Sequence, residues 1–296
     1  MMATVSSHPL TLSIERPALY VVATPIGNLA DISYRAVELL RQVDIILVED
    51  TRVTKRLLDQ YSIRGRLFAL HEHNEDRAVS AILSRLVDEK LSAALVSDAG
   101  TPLIADPGFR LVRAAHERGL RVFTAPGSCA AIAALSIAGI PSDRFVFEGF
   151  LPPRSSARKT RLRALESDPR TLIFYEAPHR VIATMEDFCE VFGPTREVSV
   201  ARELTKLHET LYRGPLASVC AAMRNDPNAA RGEIVIVLGG ATNIDSVAQE
   251  TQALNMLSVL TKYLPMADSV KVAAEICGVK RNRLYRLVHA TDKIDH

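Results

Sequence analysis

The chain has 296 residues, 48% of them apolar, a length and content that predict two compact domains with a small appendage. Its 36 Lys and Arg nearly balance 34 Asp and Glu, leaving a formal charge of +2, so no overall field marks a nucleic-acid binder and any basic surface must be local. The four cysteines lie far apart, with no CxxC pair and no zinc-finger spacing, and are expected to be reduced thiols of a cytoplasmic protein.

The N-terminal stretch 1–17 has no basic start followed by a long apolar run and is expected to be flexible. From residue 18 the chain alternates apolar β-rich runs with amphipathic helical ones: "LYVVAT", "SYRAVELLRQV", "DIILVED", "TRVTKRLLDQY", "RLFAL", "EDRAVSAILSRLVDE", "SAALVSD", "GFRLVRAAHERG" and "RVFTAP". This alternation predicts an α/β fold built on a doubly wound, mainly parallel sheet, with ligands at the carboxyl ends of its strands. The small-residue run "AAIAALSIAGI" at 130–140 is too short to cross a bilayer, so no membrane association is expected. "LPPRSSARK" at 151–159 reads as an interdomain linker. Beyond it, "TLIFYE", "REVSVARE", "HETLYRG" and "EIVIVLGG" predict a second α+β domain with a mixed sheet, and helices fall at "HRVIATMEDFCEVF" and "LASVCAAMRN". The polar stretch "ATNIDSVAQETQ" reads as a further linker, leading to a helical tail from about residue 252. The expected divisions are 1–17, 18–150, 151–241 and 242–296.

Three loops invite a chemical reading. "TPIGN" follows the first strand but holds one glycine of the three that a dinucleotide fingerprint needs, although Glu49 and Asp50 lie where a ribose-binding acid would sit. A rigid Pro turn with Gly27 at positive φ explains it equally well. In "VSDAGTPLIADPG" at 96–108, exposed amides can grip a polar ligand while Asp98 accepts from it, or Asp98 can simply cap a turn. In "APGSCAAIAAL", Ser128 stands at a helix start, either as a cap or beside a ligand held by outward-pointing amides.

In the second half Glu176, His179, Arg180, Arg202, Glu203, Lys206, His208 and Glu209 follow apolar strands directly, as a charged cleft wall or as solvated ion pairs. The pair His71 and His73 lacks further ligands at useful spacing, so no metal site is expected. In the tail, "SVKVAAEICGVKRNRLYRLVHA" places Lys280, Arg281, Arg283 and Arg286 on the second of two helices, as in a helix-turn-helix pair that meets phosphates or in a packing module with a basic face.

In order, "TPIGNLADI", "EDTR", "SDAGTPLIADPG", "APGSCA", "FYEAPHR" and "ARELTKLHE" closely resemble the ribosomal RNA small-subunit methyltransferase I family, a branch of the tetrapyrrole (corrin/porphyrin) methylase superfamily. The resemblance runs from about residue 18 to 241, and the tail resembles the family's C-terminal helix-turn-helix module. It implies S-adenosylmethionine held between two α/β domains and methyl transfer to the 2′-hydroxyl of a cytidine in the decoding region of 16S rRNA. It places the cofactor against Pro25, Gly27, Asp98, Ala99, Gly100, Thr101, Ser128, Cys129, Tyr175 and Ala177. It further implies a homodimer acting on the small ribosomal subunit.

A sugar hydroxyl needs a proton acceptor. A Lys206 kept neutral by Arg202 or by burial is the first candidate, with Glu203 second. Arg52, the cluster Arg154, Arg158, Lys159, Arg161 and Arg163, and the tail residues Lys280, Arg281 and Arg283 are the candidate phosphate contacts. A methylase of a small molecule or protein side chain, and a non-catalytic RNA-binding scaffold, are the alternatives.

Overall fold

The computed structural model describes the backbone of residues 13–70, 75–241 and 243–291. The chain divides into two compact units, residues 1–164 with 171–239 and residues 165–170 with 240–296.

The larger unit contains two five-stranded sheets. The first is built from β1 (Ala18–Val22), β2 (Ile45–Val48), β3 (Leu67–Ala69), β4 (Ser92–Leu95) and β5 (Arg121–Ala125), all parallel, in the order β3-β2-β4-β1-β5. Helices α1 (Tyr34–Gln42), α2 (Thr51–Gln60), α3 (Glu75–Asp88) and α4 (Phe109–Glu117) are the crossovers that parallel pairing demands. Strand alternation sorts the core onto two faces. Ala18, Tyr20 and Val22 pack with Leu39, Leu40 and Leu58, while Leu19 joins Leu83, Leu86 and Leu111 on the other side. Both faces are covered, so these strands read as apolar runs. Ser33 starts α1 by accepting from the Ala36 amide at 3.1 Å, and Asp50 does the same for α2 from the Arg52 amide at 2.8 Å.

After β5 comes α5 (Ala130–Ala138), whose apolar face packs on the second sheet, against Ile173, Ala201, Val235 and Val237. That sheet contains β6 (Phe145–Phe150), β7 (Thr171–Glu176), β8 (Glu197–Arg202), β9 (Thr210–Pro215) and β10 (Ile234–Leu238), ordered β6-β7-β10-β8-β9. Only β6 and β7 are parallel, so the sheet is mixed, as the sequence predicts. Between its strands run α6 (Ser155–Arg163), α7 (Val181–Phe192) and α8 (Leu216–Asn225). Phe174 of β7 meets Phe188 of α7 edge to face at 5.1 Å.

Two expectations change here. Phe145–Phe150, counted with the N-terminal domain, is an edge strand of the second sheet. The supposed linker at 151–159 becomes α6 from Ser155 onward, because its prolines precede a helix start instead of ending structure.

The smaller unit contains α9 (Asn243–Leu260), α10 (Met266–Cys277) and α11 (Arg281–Thr291). The polar stretch after Ala241 is therefore helical and not a linker. Ala253, Leu257, Val270, Ala273, Ala274 and Leu284 form its core. No helix of the described residues is long and apolar enough to cross a membrane.

Burial separates phenylalanines of the same sheet. Phe174→Ala is expected to cost about 3–5 kcal/mol in urea unfolding, whereas Phe145→Ala, at a position 41% exposed, is expected to cost about 1 kcal/mol or less.

Candidate active site

Because β1 lies between β4 and β5, the loops "TPIGN", "SDAGTPLIADPG" and "APGS" leave one sheet edge side by side. Thr24 and Gly100 exchange backbone hydrogen bonds of 2.8 and 3.1 Å, and the Ala23 amide donates to Ala125 O at 3.1 Å. The Thr24 hydroxyl adds a bond to Ser97 O at 3.1 Å, and the Thr101 hydroxyl donates to Ser128 O at 2.9 Å. The three loops are thus one rigid cradle.

A cavity of about 410 Å³ opens beside it. Of the expected residues, Ala99, Gly100, Thr101, Cys129, Tyr175 and Ala177 line it together. Tyr175 is its aromatic wall. Its hydroxyl accepts from the Ala131 amide at 3.1 Å, Phe147 and Phe150 stand edge-on to its ring, and burial raises its pKa above the ordinary tyrosine value. Leu103 and Ala105, with φ of +74° and +66°, hold the loop in a conformation that L-residues rarely adopt, a strain that collects at ligand-binding segments.

Pro25, Gly27, Asp98 and Ser128 are not in the cavity lining. Pro25 is buried. Gly27 does not adopt positive φ. A glycine is needed there because a Cβ would lie 2.6 Å from Cγ of Lys206 and 2.9 Å from Oγ1 of Thr205. Asp98 neither faces the cavity nor caps its own turn: its Oδ1 accepts from the Asp50 amide at 3.1 Å, tying the loop to the start of α2. Ser128 contributes its carbonyl, while Cys129 occupies the cap position of α5 without a side-chain capping bond.

The sequence reading passed over two carboxylates of the lining, Asp106 and Glu233. Asp106 lies within the quoted "ADPG", and only burial distinguishes it from Asp98. That burial, helped by Glu49 and Asp98 and opposed by a hydrogen bond from Ser97, pushes its pKa up to about 6.

The loop after β8 carries the other charged residues. Lys206 Nζ bonds Glu203 Oε1 at 2.8 Å and lies 3.2 Å from Glu233 Oε2. Burial alone would lower its pKa, but these two carboxylates outweigh it and the net shift is upward. In this arrangement Lys206 is a cation held between two carboxylates, which disfavours the neutral form a base would need. Burial also opposes ionisation of Glu203, yet bonds from Lys206 and the Glu233 amide win and lower its pKa. Glu203, with φ of +55°, fills the space that a side chain on Gly232 would take, where a Cβ would lie 2.3 Å from its Cδ. Arg202 is buried and braces the loop, donating to His208 O and Thr210 Oγ1 at 3.0 Å. At the end of β7, Glu176 binds Arg180 at 2.5 Å and the Thr184 hydroxyl at 2.6 Å.

Among the basic candidates, Arg158 is 3% exposed and paired with Asp187 at 2.6 Å, so it is a core ion pair and not a phosphate contact. Lys159 is held by Glu190 at 2.5 Å, and Arg283 by Glu250 at 2.9 Å. Arg52, Arg154, Lys280 and Arg281 are exposed. His71 and His73 lie outside the described residues, and among these no group of three or more metal-ligating side chains occurs.

Asp106 generates a pH prediction. Its pKa of about 6 in the folded protein exceeds the ordinary 3.8, so the native state keeps a proton that the unfolded chain has released. Stability from this group is full below about pH 4 and is lost as pH rises through about 6. Asp106→Asn should therefore be more resistant to urea than the parent at about pH 8, and the two should converge near pH 4.

The geometry meets its relatives at this point. Residues 18–220 match the family model of Tetrapyrrole (Corrin/Porphyrin) Methylases, and residues 247–291 match the RsmI C-terminal HTH domain. A protein of Escherichia coli O157:H7 named ribosomal RNA small subunit methyltransferase I is 50% identical, with 90% of this chain and 93% of the relative aligned. One of the same name from Xylella fastidiosa (strain Temecula1) is 51% identical over 90% of this chain and 97% of its own length. The solved structure of cobalt precorrin-4 methyltransferase shares the fold, with a TM-score of 0.57 at 18% identity over 75% of this chain and 95% of that one. The chain belongs to the tetrapyrrole (corrin/porphyrin) methylase family, in the branch that carries the name ribosomal RNA small subunit methyltransferase I.

Proposed function

We propose that this chain is an S-adenosylmethionine-dependent rRNA methyltransferase that methylates the 2′-hydroxyl of a cytidine in 16S rRNA of the small ribosomal subunit, acting as a cytoplasmic homodimer. The observation that carries the reading is the cavity at the joined ends of β4, β1 and β5. At about 410 Å³ it is of a size for a nucleoside-sized ligand. Its lining suits that cofactor: the small residues Ala99, Gly100 and Ala130 leave room for close approach, Tyr175 offers an aromatic face, and Asp106 offers a carboxyl toward positive charge. When bound, S-adenosylmethionine supplies an electrophilic methyl group on a sulfonium, so the protein's task is alignment and proton removal.

The proton acceptor is reassigned. Glu203 is committed to Lys206 and to the Glu233 amide, whereas the Glu233 side chain is 68% exposed and lines the cavity. Glu233 takes the hydroxyl proton, and Lys206 beside it holds the ribose phosphate or the developing alkoxide. RNA is gripped by the exposed Arg52, Lys55 and Arg56 of α2, whose first turn starts at the Asp98 contact, together with Arg154 and the tail.

Single-turnover methylation of purified small subunits tests the chemistry, with ribose-methylation mapping to place the product. Lys206→Met and Glu233→Gln should keep cofactor affinity while losing about 10²-fold or more in rate. Gly27→Ala, which pushes on the Lys206 stem, should lose rate in the same way. Rates within a few-fold of the parent would remove these residues from the mechanism.

Subunit binding at several salt concentrations tests the tail. In the Lys280, Arg281, Arg283 triple alanine variant the logarithmic salt slope should become shallower by about 1.4–1.8, two contacts' worth, because Arg283 is engaged by Glu250. An unchanged slope would make the tail a solvated face. Sedimentation velocity tests the dimer.

A further inference from the structure

The carboxyl groups of the cavity differ in what neutralises them. No Lys, Arg or His lines it, but Asp106, Glu176 and Glu233 do. Glu176 is matched by Arg180 and Thr184, and Glu233 by Lys206 and by solvent. Asp106 faces the Ser97 hydroxyl and the acids Glu49 and Asp98, with Tyr175 across the cavity and the Cys129 thiol in the same lining, and among the described residues no cation is one of the groups that shift it. The Arg52 guanidinium is engaged by Asp50 and bears on Asp98.

Resting on the cofactor reading above, we propose that Asp106 is a specificity-determining residue that makes the cavity prefer the cationic methyl donor to its demethylated product, which lacks the sulfonium charge. The donor has one more positive charge than the product, because the sulfonium becomes a neutral thioether when the methyl leaves. A half-buried carboxyl surrounded by acids keeps its proton until a cation arrives. The cation expels that proton and gains an ion pair in a low-dielectric site. The product lacks the sulfonium charge and gains only what its ammonium, shared with the donor, can give. After transfer the charge has gone, and the carboxylate is left among like charges until a proton returns, which weakens the hold on the product and speeds its departure. The same residue thus tightens the substrate complex and loosens the product complex.

The test is calorimetric titration of the full chain with S-adenosylmethionine, S-adenosylhomocysteine and the cationic analogue sinefungin, from about pH 5 to about pH 8. In the parent, affinity for both cations should rise by about tenfold across this window, while that for S-adenosylhomocysteine stays within about twofold. Asp106→Asn should flatten the pH profile and cut the preference for the cations by about tenfold, leaving S-adenosylhomocysteine affinity near the parental value. The parental pH series needs no variant, so a flat series overturns the proposal by itself, as does a variant that keeps the parental preference. Failure of all three ligands to bind the parent would instead overturn the cofactor reading, and this proposal with it.

Discussion

Two backbone hydrogen bonds exchanged between Thr24 and Gly100 hold the site together. They join the loop after β1 to the loop after β4, and the Thr101 hydroxyl extends the join to the loop after β5. Main-chain bonds of this kind constrain position without specifying side chains, so small residues suffice on the cavity wall. The glycine fingerprint of dinucleotide folds solves another problem, the approach of a helix start to pyrophosphate. Here the cradle is made by loops bonded to one another.

The second constraint is the contact of Lys206 with Gly27. It brings the loop after β8 to the loop after β1, and the Asn28 amide reinforces it by donating to Thr205 Oγ1 at 3.1 Å. The positive φ of Glu203 and Thr205 is the local cost of that approach. Lys206, Glu203 and Glu233 form one charge cluster, so altering any member changes the other two.

The sequence made the architecture legible wherever periodicity was clean. The alternating strands of the first half, the mixed second sheet and the two tail helices all follow from it. It also singled out, by runs of small residues at three strand ends, the loops that meet beside the cavity. Three things were hidden. β6 is interrupted by a register shift between Phe147 and Gly149 and pairs with a strand that comes later, so its membership cannot be read locally. Prolines at 152 and 153 mark a helix start as readily as a linker. Finally, Asp98 and Asp106 look alike in one motif, as do Arg154 and Arg158 in another. Which of each pair is the more deeply enclosed depends on distant residues such as Asp187, which one-dimensional spacing does not contain.

The crossing of α5 has a consequence for how the protein can be made. Its residues Ala131, Ala134, Leu135 and Ala138 complete the core of a sheet whose other strands are not synthesised until much later. A ribosome that has released only the first 150 residues has produced an apolar helix and an unpaired strand with no partner to cover them. Such a nascent chain is prone to stick to its neighbours until β7 and β10 emerge. Dividing the coding sequence at that point would give two fragments that each lack part of one core. The halves are distinct as sheets, but they are inseparable as folding units.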